Sequence, residues 1–524
     1  MMSTVDEKTN SAFKETCRIL FKEEIGELSA FEDYLKEYMF PYAIRKSCVS
    51  GREVMIGAMY PEGAKIVSHQ EMPQLQFTKV DVNKIKDIDS LLEAVGENIV
   101  YCGNRVFGST AKVERVDNAI DCINLSNSHN VSGCKDGAFL SHTRENDHCF
   151  GTSSYSKSKF VMRSYMGFCS SRCFEAVLIG WSSDCVMCFN CMDTHEAMFS
   201  FNLRGKRHAI GNLELPREKY LPLREKLLLE IAQKLRKDKK FVGIGELPLI
   251  YGGLKDQPKE SGAEQEPGEG VEAAFGTLSK IVLGSELGPM KDYEGWMKKY
   301  PFGIVSVKGA LGTPTLATTG KVVYSKIPVS RCVTQKEALE MGKKKISIEG
   351  NEALGEIMKK ASEIAYYTFE YDSGGNESAY SCPLSYKSRN VYKIAESVES
   401  KNSALGCMVF ECEFVFGSHL KMQNSKFCLN CCDCANVANC FETDSSYNST
   451  NCYFCHNCEN VENGIFCFNT KGKRYAVGNT EVGPQEFARI KKILLDYVLE
   501  SLGEKKTCEL GIFSVASPGR GANP

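Results

Sequence analysis

The sequence predicts an α+β fold arranged as a tandem duplication. In each half a helical and short-strand N-terminal part leads into a short Cys/Asn-rich β-solenoid, capped by an amphipathic C-terminal helix. Three observations predict this. Blocks of sequence recur in the same order, small residues recur at every third position, and apolar residues at helical spacing flank each triplet run.

The duplication is read from ordered matches. "FKETCRILFKEEIGELSAFEDYLKEYMFP" (13–41) aligns without gaps on "FGTLSKIVLGSELGPMKDYEGWMKKYPFG" (275–303). "DCVMCFNCMD" (184–193) aligns with "NCYFCHNCEN" (451–460), and "FNLRGKRHAIGN" (201–212) with "FNTKGKRYAVGN" (468–479), both at an offset of 267. The expected organisation is a helical and small β region over 1–118, then a first solenoid with its cap helix over 119–245. An acidic Gly/Pro linker follows over 246–272. A second helical and small β region over 273–374 and a second solenoid with cap helix over 375–506 complete the repeat, before a flexible tail over 507–524. Within each half, "REVMIGAMY" and "KVVYSKIPV" read as short strands, and "IDSLLEAVGENIVY" and "EALGEIMKKASEIAYY" as helices. "REKYLPLREKLLLEIAQKLRKDKK" and "PQEFARIKKILLDYVLESL" read as the cap helices.

The triplet is the strongest signal. From Cys428 to Cys467 every third residue is Cys, Val, Thr, Ser or Gly, and the residue before it is often Asn or Asp, as at Asn430, Asp433, Asn436, Asn439, Asn451, Asn457 and Asn460. Neither helix nor flat strand has a period of three. A narrow solenoid does: Asn tolerates the left-handed corner, and the small residue points into the interior. The first half keeps the column from Ser158 through Cys173, Cys185, Cys188, Cys191 and Thr194 to Ser200. An earlier run lies near Cys122, Ser128, Val131 and Cys134.

The thiol triplets Cys185, Cys188, Cys191 and Cys452, Cys455, Cys458 invite a metal reading, because clustered C-x₂-C pairs are the spacing of zinc sites. Two facts favour core filling, in which no cofactor is held. Val, Ser, Thr, Gly and Ala replace Cys along the same column, which ligands would not allow. Cysteine also behaves as a small, often buried hydrophobe. Zinc or an iron–sulfur cluster is the alternative.

At this point the pattern resembles a family of cysteine-rich repeat proteins from environmental prokaryotes. They carry runs such as N-C-x-x-C-x-x-C, a short lysine–x–tyrosine…asparagine segment and a charged helix. "NTKGKRYAVGNTEVGPQEFARIKKIL" and "NLRGKRHAIGNLELPREKYLPLREKL" match that ending. The resemblance implies a repeat fold and brings no activity. Many of those relatives carry N-terminal zinc-ribbon cysteine pairs, which this chain does not have.

Other residue groups are weaker. Arg204, Lys206 and Arg207 in one half, and Lys471, Lys473 and Arg474 in the other, are candidate anion or partner contacts, with a phosphate or RNA among the possible partners. The competing reading is a solvated turn before each cap helix. Of eight histidines, His148, His208, His419 and His456 lie in or beside the solenoids. His208 aligns with Tyr475 and His456 with Phe189, which argues against a shared catalytic histidine. No phosphate-binding loop, nucleophile elbow or H-E-x-x-H motif is found. The charge balance, 64 basic against 66 acidic residues, gives no argument for nucleic acid. No apolar run has the length of a membrane span. The N-terminus has no secretory pattern, so the 25 cysteines are expected in a reducing cytoplasm. The function expected from sequence is a non-catalytic scaffold presenting solenoid faces to a protein partner, with a metal carrier as the alternative.

Overall fold

Left-handed backbone at every third residue is the device that builds the β-ladders of this chain. The computed structural model describes residues 4–144, 150–151, 159, 161–163, 165–255, 265–298, 303–318, 326–372 and 374–516. It is a mixed α+β protein, and among the described residues no sheet is closed into a barrel. In the second half, Asn430, Asp433, Asn436, Asn439, Asn448, Asn451, Phe454, Asn457, Asn460 and Asn463 all have φ between 48° and 61°. Each turns the chain so that the next residue points inward. Every member of the column from Cys428 to Cys467 is accordingly buried.

The segments between corners pair in parallel with the segments about 12 residues on. Arg389↔Lys401, Lys426↔Ala438, Ala438↔Thr450, Thr450↔Glu462 and Glu462↔Arg474 are successive partners. An extra residue between His419 and Met422 raises the offset to 13 locally. The same offset runs through the first half, in Ala111↔Ile123, Ile123↔Lys135 and His195↔Arg207, and in single-residue pairs such as Phe150↔Met162, Met162↔Phe174 and Phe174↔Val186. We call the described residues within 106–214 the first ladder and those within 371–481 the second ladder. Both begin earlier than the expected boundaries at 119 and 375. Phe441, Tyr453 and Ile465 stack in register, whereas Tyr447 lies on another side, paired with Ala435 and Glu459.

Helices form at the expected places, but "IDSLLEAVGENIVY" is helical only to Gly96, and its last residue, Tyr101, begins a strand paired with Ile66. Arg217–Asp238 and Pro484–Lys505 follow the two ladders, and Ile88–Gly96 and Leu354–Ile364 precede them. "REVMIGAMY" contains the strand Glu53–Ile56, whereas most of "KVVYSKIPV" lies outside the described residues, as do His148 and Ser158. Each half lays its first helix along its own ladder. Phe13 and Phe21 of helix Thr4–Phe21 meet Phe150 and Phe174 at 5.4 and 5.0 Å, and Phe275 of helix Glu269–Leu283 meets Phe416 at 5.6 Å.

The small β regions do the opposite: each packs on the ladder of the other half. Tyr101 of the first half lies against His456 and Phe468 of the second ladder, and its hydroxyl donates to the carbonyl of Ile512. Tyr367 of the second half lies against Phe189 and Phe201 of the first ladder, and its hydroxyl donates to the carbonyl of Ile244 at 2.7 Å. Asn469 donates to the Val100 carbonyl (2.6 Å), and Asn202 to the Tyr366 carbonyl (3.0 Å). The corresponding positions differ by 266–268 residues throughout, so the exchange is reciprocal. The stretches expected as linker and tail also pack. Helix Glu269–Leu283 begins inside the expected linker, Leu247 is buried, and Cys508, Leu510, Ile512, Phe513 and Val515 are buried in the second core because Tyr101 and Glu442 bond the backbone of Ile512.

Candidate functional site

The six thiols singled out by sequence point into the ladders, each just after a left-handed residue: Asp184, Met187, Asn190, Asn451, Phe454 or Asn457. All six are 2% exposed or less. Each Sγ donates to the carbonyl two residues back: Cys185 to Ser183 (3.5 Å), Cys188 to Val186 (3.5 Å), Cys455 to Tyr453 (3.5 Å) and Cys458 to His456 (3.5 Å). Most also reach the carbonyl nine residues ahead, on the next turn of the ladder, as Cys191 does to Ser200 and Cys452 to Val461. Hydroxyls in the same column do the same. Ser200 donates to Met198, Ser446 to Asp444 and Ser449 to Tyr447, at 2.8–3.0 Å. That shared bond is the physical reason Cys, Ser and Thr interchange along the column. The interior is narrow: a Cβ on Gly464 would come within 2.9 Å of Val461 and 3.2 Å of the Cys455 sulfur. Burial pushes the thiols of Cys188 and Cys458 well above their usual range, whereas that of Cys455, against its own burial, is pulled well below it by hydrogen bonds from Cys452, Cys458 and Cys467. Among the described residues no group of three or more His, Cys, Asp or Glu side chains is arranged to hold a metal ion, and no cysteines are joined as disulfides.

The basic turns end the two ladders and are not brought together. Lys206 pairs with Glu214 (2.7 Å), Lys471 with Glu459 (2.5 Å) and Arg474 with Glu462 (3.4 Å). Arg204 is half-buried and donates to the side-chain oxygen of Asn190 (3.1 Å). Arg207 is exposed, and Lys473 is half-buried. His208 meets Glu196 at 2.9 Å. His456 is fully buried. Its Nδ1 bonds Asp444 (2.8 Å), its Nε2 accepts from the backbone N–H of Cys102 (2.9 Å), and Tyr60 donates to the same carboxylate (3.0 Å). This network fastens the first half's β region to the second ladder and leaves the imidazole no room for a substrate.

The feature that sequence reasoning missed is a cleft of about 420 Å³ between the two ladders. Its first wall comes from strands Ala111–Ile120, Ile123–Ser132 and Ser141–Arg144, with Trp181 at a corner. Its second wall comes from strands Leu384–Tyr386, Arg389–Val398, Lys401–Phe410 and His419–Gln423. At its base the ladders touch: Asn118 donates to Asp433 (2.6 Å) and to Asn130 (2.9 Å). Asn118, Asn130 and His142 are successive left-handed corners 12 residues apart, and Asp433 is a corner of the other ladder. Beside them the buried Arg105–Asp117 pair closes through two bonds of 2.9 and 2.8 Å. Burial raises the carboxyl of Asp433 to about 6, against the opposing pull of Arg105. The walls are largely apolar and aromatic, with Ile120, Val131, Trp181, Phe410 and Tyr447 among them. Glu396 is buried at the second wall, and Glu411 and Lys421 line the same cleft. The only advance signal was the polar character of the corners, which the triplet pattern already explained.

No described helix is long and apolar enough to cross a membrane. Compared with protein-family models, curated proteins and solved structures, the chain matches none.

Proposed function

We propose that this protein is a non-catalytic binding protein: two β-solenoids of duplicated origin, held side by side, whose ligand is seated in the cleft between them. The observation that carries the reading is that both halves build one concave, mostly apolar cleft, and that its volume of about 420 Å³ falls within the ~300–1,000 Å³ range of small-molecule sites. The solenoid faces expected to receive a protein partner are in large part occupied by the chain itself, by its own first helices and by the exchanged β regions. The repeated thiols and the paired histidines are engaged in structural bonds, which favours binding over chemistry.

The test is a thermal-shift screen of the full chain with a small-molecule library, run in parallel on Ser132→Trp, which fills the cleft from a half-buried position. Compounds that stabilise the wild type and leave the variant unshifted support the reading. Compounds that stabilise both equally, or a turnover that one polar substitution outside the cleft abolishes, contradict it.

A further inference from the structure

The two walls of the cleft occupy corresponding places in the two halves and differ in chemistry. Positions along them correspond at an offset of 266 residues. Ile120 and Ser132 stand on successive turns of the first ladder, and Tyr386, Val398 and Phe410 on successive turns of the second. Where the first wall has Asn118 and Ser132, the second has Leu384 and Val398. Ile120 and Tyr386 are apolar on both sides, and Asn130 corresponds to Glu396, which is 2% exposed. The first wall therefore sets neutral polar groups around Ile120, and the second presents a row of apolar and aromatic side chains.

The polar wall is ordered by its own hydrogen bonds. Asn118 spends its amide hydrogens on Asp433 (2.6 Å) and on Asn130 (2.9 Å), so what it offers a ligand is its carbonyl oxygen, an acceptor. Asn130 accepts through Oδ1, and its amide nitrogen, 3.5 Å from His142, carries two hydrogens, enough to donate to a second partner. The Ser132 hydroxyl donates or accepts. These groups are uncharged, and the Asp433 carboxyl beside them already accepts from Asn118. A few placed polar groups in an apolar recess orient a ligand and set its specificity.

We propose that the cleft binds an uncharged ring compound with two unlike sides. Its apolar face lies on Leu384, Tyr386 and Val398, and a hydroxyl or amide group on its other side bonds Asn118, Asn130 and Ser132. The inference rests on the reading of the cleft as the ligand's seat. A wholly apolar ligand would strip water from the polar wall and return no bond, which is unfavourable. An anion would lie beside Asp433.

The experiment uses the full chain and four probes of nearly one shape: 2-naphthamide, 2-isopropylnaphthalene, 2-naphthoate and 2-naphthamidinium. Binding is followed by the fluorescence of the naphthalene ring. The amide should bind tightest, because a site that bonds a polar group rejects the analogue lacking it. Ser132→Val, at a half-buried position, copies the second wall and should lower the ratio of amide to isopropyl affinity ~2- to 10-fold, the worth of one hydrogen bond. Ser132→Ala gives the same test should Ser132→Val fail to fold. Val398→Ser copies the first wall and should weaken both probes alike. A ratio unchanged by removing the Ser132 hydroxyl, a ratio that Val398→Ser changes instead, or tightest binding by a charged or the isopropyl probe overturns this assignment and leaves the cleft as a seat. Binding that persists in Ser132→Trp, or no binding of any probe, overturns the seat as well.

Discussion

The two ladders share one geometry and use different corner residues. Between Asn424 and Asn469 most corners of the second ladder are Asn: Asn424, Asn430, Asn436, Asn439, Asn448, Asn451, Asn457, Asn460, Asn463 and Asn469. Between Cys169 and Phe199 the first ladder uses Cys, Arg, Glu, Leu, Trp, Asp, Met, Asn and Phe, at nearly the same φ of 47–57°. A left-handed conformation disfavours most L-residues by roughly 1–2 kcal/mol, and Asn less. Stacking therefore sets the corner angle, through bonds such as Met187 N–H to Phe174 O (2.8 Å) and Asn457 N–H to Asp444 O (3.0 Å). The corner residue reports what lies outside it. Leu178, Met187, Phe199, Phe454 and Phe466 are buried in the two main cores, where helices and exchanged segments cover the ladder. Asn436 and Asn448 stand at an exposed edge and bond each other across one turn (3.1 Å).

The comparison extends to two buried histidines, and here the largest effect is expected. His456 of the second ladder has the Asp444 carboxylate as partner. His129 of the first ladder has only the Phe40 carbonyl (3.0 Å) and is fully buried, and burial lowers its imidazole to about 4. An unfolded histidine titrates near 6.5, so between pH 6.5 and 4 the unfolded state binds more protons than the folded one. The contribution is fully present above pH 6.5 and is lost as pH falls toward 4, by up to ~3 kcal/mol. Denaturant titrations at pH 7 and pH 4.5 should give a larger loss of stability in the wild type than in His129→Phe, a difference that isolates this group from Asp433, which contributes with the opposite sign.

Next come the interiors, where the two ladders should respond alike. Cys188→Leu and Cys455→Leu overpack a narrow column and should each cost ~1–3 kcal/mol or more. The corresponding Ala variants should cost about 1 kcal/mol, and the Ser variants less, since Ser can donate to the same carbonyl. Thermal midpoints with and without a strong chelator check this. Mild Ala and Ser effects with chelator indifference fit core filling. A collapse on chelation, equal for Ala and Leu, would restore the metal reading.

The smallest effects should come from exchanging corners. Asn460 (φ 55°) and Lys112 (φ 54°) are both exposed. Asn460→Lys should lower stability, and Lys112→Asn raise it, each by up to ~1 kcal/mol. Shifts of the same sign would mean that corner identity does not matter as argued here.

What was legible in the sequence is what is local. The triplet fixes the left-handed position, the inward position and the small column, and helical spacing fixes the cap helices. The period of three does not fix how many triplets make one turn; that number, four, emerges only from the pairing of residues about 12 apart. The start of the first ladder was hidden because Lys112 and Arg115, rather than Asn, occupy its first corners. The cleft was hidden because it lies between the two halves, among residues such as Asn118, His142, Phe410 and Asp433 that are ordinary in each. The exchange of β regions was hidden because no local pattern encodes a bond such as Asn98 to the Gly478 carbonyl (2.9 Å), formed across 380 residues.

That exchange is the central claim, and a single cut tests it. A protease site introduced within 256–264 would divide the chain into two fragments, each of which has lent its β region to the other. The account predicts that the nicked fragments co-elute in size-exclusion chromatography under native conditions and unfold in one shared transition. Two fragments that separate and melt independently, each as a stable half, would contradict it.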